Sequence, residues 1–164
     1  MRMKRQVFLG IMAVVLVGCA SQQERAERQA QTRVAVEQAV TSRQLHIDIH
    51  SMSAMRYGSR TVTPDFFLEL RGDTLRSYLP YLGQAHTSPT VSSSIGLNFK
   101  APIKNFSERK LKAGKTQWEL DVKTQEDAHH FIIEVFDTGQ AFISVRSQNR
   151  DPISFDGAVG SFEQ

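Results

Sequence analysis

The sequence predicts an all-β domain of about eight antiparallel strands, arranged as an up-and-down barrel and preceded by one N-terminal helix. Three observations carry this. Apolar residues recur with period two in short stretches from Leu45 to Phe155, the alternation of a sheet with one face on a core. Gly-centred tetrapeptides separate several of these stretches, as hairpins require. Ahead of Leu45 lies a run rich in Ala, Gln, Glu and Arg that lacks both Gly and Pro, a composition that favours helix.

The chain begins with Arg2, Lys4 and Arg5, then 11 apolar or small residues from Val7 to Val17. A membrane span needs about 20 residues, so this run reads as the core of a signal peptide. It ends in Leu16-Val17-Gly18-Cys19, the pattern of a bacterial lipobox. The expectation is cleavage after residue 18 and lipid on the sulfur and amine of Cys19. Residues 19–43 form a lipidated N-terminus and helical stalk, in which Glu24 and Arg28 make an i,i+4 pair. The apolar stripe is thin (Ala26, Ala30, Val34, then Val36, Ala39 and Val40), so the helix would bury only its last turns. Residues 44–164 form the barrel domain.

The formal net charge of +3 comes from the signal peptide. Of 20 Lys and Arg, three precede Cys19, while all 17 Asp and Glu follow it. The mature chain is formally neutral and carries no electrostatic footprint for nucleic acid. Cys19 is the single Cys and is consumed by lipid, so packing must hold the domain without disulfides.

Leu45, Ile47 and Ile49 alternate with His46, Asp48 and His50; Phe66, Leu68 and Leu70 alternate with Phe67, Glu69 and Arg71. Leu75 and Leu79 continue the pattern, followed by Ile95, Leu97 and Phe99. Trp118, Leu120 and Val122, then Phe131, Ile133 and Val135, then Ala141, Ile143 and Val145, and finally Ile153 and Phe155 complete it. Turns fall at Arg71-Gly72-Asp73-Thr74, Lys112-Ala113-Gly114-Lys115 and Asp137-Thr138-Gly139-Gln140. Short hairpins between successive strands give a meander, and closing it removes exposed edges; a two-sheet sandwich is the alternative. One connection, Leu82 to Ser94, is long, and long connections are often functional. Tyr78, Tyr81 and His86 flank it near one rim.

Three spaced motifs, Ser77-Tyr78-Leu79-Pro80-Tyr81, Gly96 to Ile103 (GLNFKAPI) and Asn149 to Gly157 (NRDPISFDG), resemble the Bacteroidota lipoprotein family catalogued as domain of unknown function 4251. The resemblance runs from about Val40 to Val159. It implies a lipoprotein signal, a short helix and a lipocalin-like antiparallel barrel, and it brings no activity and no established site. Relatives have a Gly- and Tyr-rich connecting segment where this chain is Ser-rich from Ser88 to Ser94, so no ligand role carries over to that loop. The motifs also have structural readings. Asn98 and Lys100 point away from the face set by Leu97 and Phe99. Pro102 cannot donate to a ladder and marks an edge, a bulge or a strand end. Asn149-Arg150-Asp151-Pro152 reads as a turn.

Few patterns carry chemistry. His46-x-Asp48-x-His50 puts three metal-ligating side chains on one strand face, about 7 Å apart. A closed site needs convergence and a fourth ligand, from His129 or His130; strand alternation explains the letters without a metal. Arg71-Gly72-Asp73 spells an adhesion tripeptide that the hairpin turn accounts for. Lys100, Lys104, Arg109, Lys110, Lys112 and Lys115 form a basic stretch, and the acids Glu119, Asp121, Glu126 and Asp127 follow on the next strand, where cross-strand pairs would neutralise it. No nucleophile elbow, phosphate loop or His-Glu-x-x-His helix is present, so no enzyme and no cofactor is expected.

The function expected is a non-catalytic envelope module that binds a small ligand or polymer at the open end of the barrel, near Tyr57, Tyr78 and Tyr81. It would be held in the outer membrane by lipid on Cys19 and face the periplasm, with the cell surface as the other possibility. The alternative is a structural or accessory subunit of an outer-membrane assembly with a filled barrel. Small inward candidates such as Ser77, Ala101 and Ala141 leave open whether the interior is filled.

Overall fold

Helix α1 (Arg2–Ser42) is continuous, beginning well before the Gln22 start that composition suggests. The computed structural model describes residues 2–84, 96–112 and 114–160, and of residues 2–21 the backbone alone. From 22 to 35 the helix is exposed apart from the half-buried Thr32, as its thin apolar stripe dictates. Val36 and Val40 are buried in the domain core. The Ser42 hydroxyl donates to the Gln38 carbonyl at 2.8 Å. Arg43, with φ of 51°, then turns the chain out of the helix in the left-handed conformation that commonly ends one. Its guanidinium lies 4.3 Å from the centre of the Phe106 ring.

Nine strands follow among the described residues: β1 (Gln44–Ala54), β2 (Gly58–Thr61), β3 (Phe67–Arg71), β4 (Thr74–Pro80), β5 (Gly96–Leu111), β6 (Lys115–Lys123), β7 (Ala128–Phe136), β8 (Gln140–Ser147) and β9 (Ile153–Val159). All neighbours are antiparallel, and β1 pairs with β9, so that eight strands close into a barrel. The sandwich alternative is thereby excluded. The seam runs from Ile47 opposite Val159 to Ala54 opposite Ile153, with an irregularity between Ile49 and Ser51. Gly157 sits there because a Cβ at this position would collide with the Asp48 carbonyl oxygen.

Two strand features differ from the sequence reading. β2 folds back on Ser51–Ala54, and all four of its residues are exposed; Gly58-Ser59-Arg60-Thr61 has no apolar period to announce it. β5 runs on through Pro102 to Leu111, pairing with β4 up to Pro102 opposite Thr74 and with β6 from Ile103 onward. The proline stands where one ladder ends and its missing N–H costs nothing.

The interior is packed. Trp118, Phe131 and Phe155 are at most 1 % exposed, and Leu45, Ile47, Ile49, Leu68, Leu70, Leu75, Leu79, Leu97 and Leu120 at most 2 %. Water has no room beside such side chains. The small inward residues Ser77, Ala101 and Ala141 are also buried, and Ser77 Oγ donates to the Leu97 carbonyl at 2.6 Å. Phe66 is half-buried, packed against this core, and stacks on Tyr78 at 5.3 Å.

The last turns of α1 cover one end of the barrel. Val36 and Val40 face Leu111 and Val135 there, and Arg33 pairs with Asp137 at 3.3 Å. The opposite end is built from the β1–β2 turn, the end of β4 and the start of β5, and the turns that precede β7 and β9.

Candidate functional site

At this opposite end the turn Thr124-Gln125-Glu126-Asp127 is held by its first residue. Thr124 Oγ1 accepts from the backbone N–H of Glu126 at 3.3 Å and of Asp127 at 3.0 Å, a local side-chain turn of the kind Thr favours. Asp127 is thereby fixed at the head of β7. Its Oδ1 accepts from the N–H of Ala128 at 2.8 Å and from the backbone and side-chain amides of Asn149 at 3.2 and 3.3 Å. Its Oδ2 is buried and has no hydrogen-bond partner among the described residues.

Arg150 reaches over the same turn. Its side chain is 12 % exposed and stands 4.0 Å from Asp127 Oδ2 through Nε and 3.6 Å from Glu126 Oε2 through Nη2. Nη1 lies 3.4 Å from the Gly96 carbonyl, and the guanidinium sits 5.3 Å above the Tyr81 ring.

Beneath lies His129, which faces inward because β7 alternates and Phe131, Ile133 and Val135 share its side. Its ring stacks on Phe99 at 5.1 Å and 3°, and Nδ1 meets Ser147 Oγ at 2.8 Å. Burial lowers its pKa below the ordinary 6.5, while Asp127 acts in the opposite direction, so the imidazole is held neutral. Together these groups line a pocket of about 210 Å³, with Asn98, Phe99, Gln125, Asp127, His129 and Arg150 around it. The arrangement suits holding a ligand. Asp127 accepts from amides, not from the imidazole, so the Ser147–His129 pair lacks the orienting acid of a hydrolytic triad.

The three tyrosines stand in different surroundings. Tyr57 is 46 % exposed in the β1–β2 turn, and Tyr78 is 42 % exposed on the outer face of β4, stacked with Phe66 and 5.8 Å from Phe67. Tyr81 reaches the pocket through Arg150. Its hydroxyl donates to the carbonyls of Gln84 at 3.0 Å and Asp151 at 3.3 Å, and burial raises its pKa. Of the metal candidates, His46 Nε2 and Asp48 Oδ1 meet at 3.1 Å, and the His46 ring stacks on Phe67 at 5.3 Å. His50 is exposed beside the seam irregularity. His129 and His130 face opposite sides of β7, His130 meeting Asp121 at 2.7 Å. Among the described residues no three metal-ligating side chains converge. The Cys19 side chain, His86 and the Ser88–Ser94 run lie outside the described residues.

Arg71-Gly72-Asp73 is the β3–β4 turn, with Arg71 opposite Thr74 and Gly72 at φ of 59°. Of the basic stretch, Arg109 pairs across strands with Glu119 on β6 as expected, whereas Lys115 pairs with Glu134 on β7 at 2.9 Å and the acids Glu126 and Asp127 face Arg150 instead. Asp127 and Arg150 were missed as site residues. Each belongs to a segment legible as a turn or charge cluster, and their meeting depends on the register His129 opposite Ser147, which no local pattern announces.

The family described as Domain of unknown function (DUF4251) matches residues 27–159. A crystal structure of a DUF4251 family protein from Bacteroides eggerthii superimposes with a TM-score of 0.60 at 10 % identity, covering 80 % of this chain and 90 % of that one. At that identity the likeness concerns the fold alone. No curated protein matches the chain.

Proposed function

The chain belongs to the DUF4251 family, and we propose that it is a non-catalytic binding module of the cell envelope, held at the outer membrane by lipid on Cys19 and facing the periplasm. The observation that carries the reading is the opposition of its two ends. The helix that leads from Cys19 closes one end of the barrel with Val36 and Val40. The pocket of Asp127, His129 and Arg150 opens at the other. Because the interior is packed, recognition falls to this rim. The barrel acts as a pedestal that fixes the rim side chains, which is how rigid scaffolds commonly present binding residues. The packed interior also favours a second reading, an accessory subunit of an outer-membrane assembly that meets a protein partner.

The test is mass spectrometry of the full chain, expressed in an exporting bacterium and purified from membranes in mild detergent. Under denaturing conditions the mass is expected to show loss of residues 1–18 and gain of acyl chains, and Cys19→Ala to abolish both. Under native conditions a retained small mass supports the binding module. A bare chain mass with a stoichiometric protein partner supports the accessory subunit.

A further inference from the structure

Asp127 Oδ2 and Arg150 Nε face each other across 4.0 Å, too far for a hydrogen bond. Asp127 is 2 % exposed in its side chain, and among the described residues Oδ2 has no hydrogen-bond donor. A buried carboxylate oxygen left in this state is uncommon and unfavourable. Chemistry narrows what can fill the gap. An ammonium would satisfy Asp127 and repel Arg150; a phosphate or carboxylate would do the reverse. A hydroxyl donates through its O–H and accepts through its lone pairs. One hydroxyl oxygen at ordinary bonding distance from both atoms bridges a separation of 4.0 Å.

The surroundings fit a ligand with several such groups. The side-chain amides of Asn98 and Gln125 offer both donors and acceptors, and Phe99 supplies an apolar wall, stacked on His129. The pocket of about 210 Å³ is worth roughly seven waters at ~30 Å³ each, below the ~300 Å³ where drug-sized sites begin. That is room for one hydroxylated ring. Building on the binding-module reading, we infer that the pocket is a saccharide subsite, taking one sugar ring with a hydroxyl bridging Asp127 Oδ2 and Arg150.

The experiment is ligand-observed saturation-transfer NMR on the detergent-solubilised full chain. The probes are glucose, galactose and N-acetylglucosamine, with spermidine and inorganic phosphate for the cationic and anionic alternatives. At least one sugar is expected to bind, and Asp127→Asn to weaken it tenfold or more. That variant keeps Oδ1 on Ala128 and Asn149 while turning an N–H donor into the gap. Arg150→Gln is expected to act in the same direction, and His130→Gln, on the outer face of β7, to have no effect. Unchanged Trp118 emission certifies the fold of each variant; if Asp127→Asn does not fold, Arg150→Gln carries the test. Silence of all three sugars, equal binding by the variants, or spermidine or phosphate binding lost in Asp127→Asn or Arg150→Gln overturns the saccharide assignment. If the sugars are silent while the native chain retains another small mass, the assignment falls and the binding module stands. Silence with a bare native mass removes both.

Discussion

One oxygen of Asp127 accepts both the backbone N–H and the side-chain amide of Asn149, at 3.2 and 3.3 Å, so a single carboxylate joins the turn before β7 to the turn after β8. Replacing it removes those two bonds and the bond to Ala128 while leaving three donors to find water. Asp127→Ala is expected to cost about 2–4 kcal/mol and Asn149→Ala about 1 kcal/mol, given ~1 kcal/mol for a neutral hydrogen bond and ~1.5–3 kcal/mol for one to a charged group. Asp127→Asn should lie between wild type and the alanine variant. Urea unfolding followed by tryptophan emission measures all three, and equal stability of Asp127→Ala and wild type would show that the bridge is not structural.

Stability should fall as the medium is acidified below about pH 6.5. Burial lowers the pKa of His129 in the fold, whereas unfolding returns it to about 6.5. Above that pH neither state holds the proton, and the contribution of the neutral imidazole is fully present. As pH falls, the unfolded chain takes up the proton first, and stability drops by at most about 1.4 kcal/mol per pH unit until the folded pKa is passed. His129→Gln is expected to flatten the profile between pH 7 and the folded pKa. Asp121 acts in a separate, lower window: hydrogen bonds from Asn105 and His130 lower its pKa below 3.8, so its contribution is lost only under stronger acid. Titrating the unfolding midpoint against pH in both chains decides this.

Gly157→Ala should open the barrel seam. The added methyl group meets the Asp48 carbonyl oxygen and lies 2.9 Å from Ile47 Cγ2, and both belong to β1, the partner that closes the barrel. Overpacking of this kind costs about 1–3 kcal/mol, occasionally more, and the backbone oxygen has little freedom to withdraw. Hydrogen exchange is the sensitive readout: amides of Ile47 to Ala54 and of β9 should lose protection before those of β6 and β7.

Trp118 is the single tryptophan, 1 % exposed and tilted against Phe106 at 5.7 Å. Its emission should be blue-shifted and resist acrylamide in the folded chain. Because its Nε1 is buried without an acceptor among the described residues, Trp118→Phe removes an unsatisfied donor along with some packing. The expected net cost is under about 1.5 kcal/mol, against ~3–5 kcal/mol for Trp118→Ala. A loss in Trp118→Phe as large as in the alanine variant would contradict the unpaired donor.

The barrel was legible because its core strands write apolar residues at most alternate positions, as Phe131, Ile133, Val135 and Ala141, Ile143, Val145 do. The polar strand β2 writes nothing of the kind. β5 past Pro102 was hidden because its residues beyond Ile103 are largely exposed, leaving charge where the pattern should be. Tyr78 lies on the outer face of β4, 42 % exposed. Strand parity places it outward, since Ser77 and Leu79 are buried, and that parity was available in the letters. Asp127 and Arg150 are a harder case. Their partnership crosses a hairpin, and only the absolute register of β7 against β8 brings the two turns within reach.

The seam between β1 and β9 joins the first barrel strand to be synthesised with the last. No local contact can stand in for it, because the two strands are separated by nearly the whole domain, and such distant pairings form late. Until Val159 lies opposite Ile47, the nascent sheet carries two raw edges open to any neighbouring strand. The fold therefore audits its own length: a chain cut short anywhere before β9 is left sticky and recognisably unfinished, and a full one seals itself.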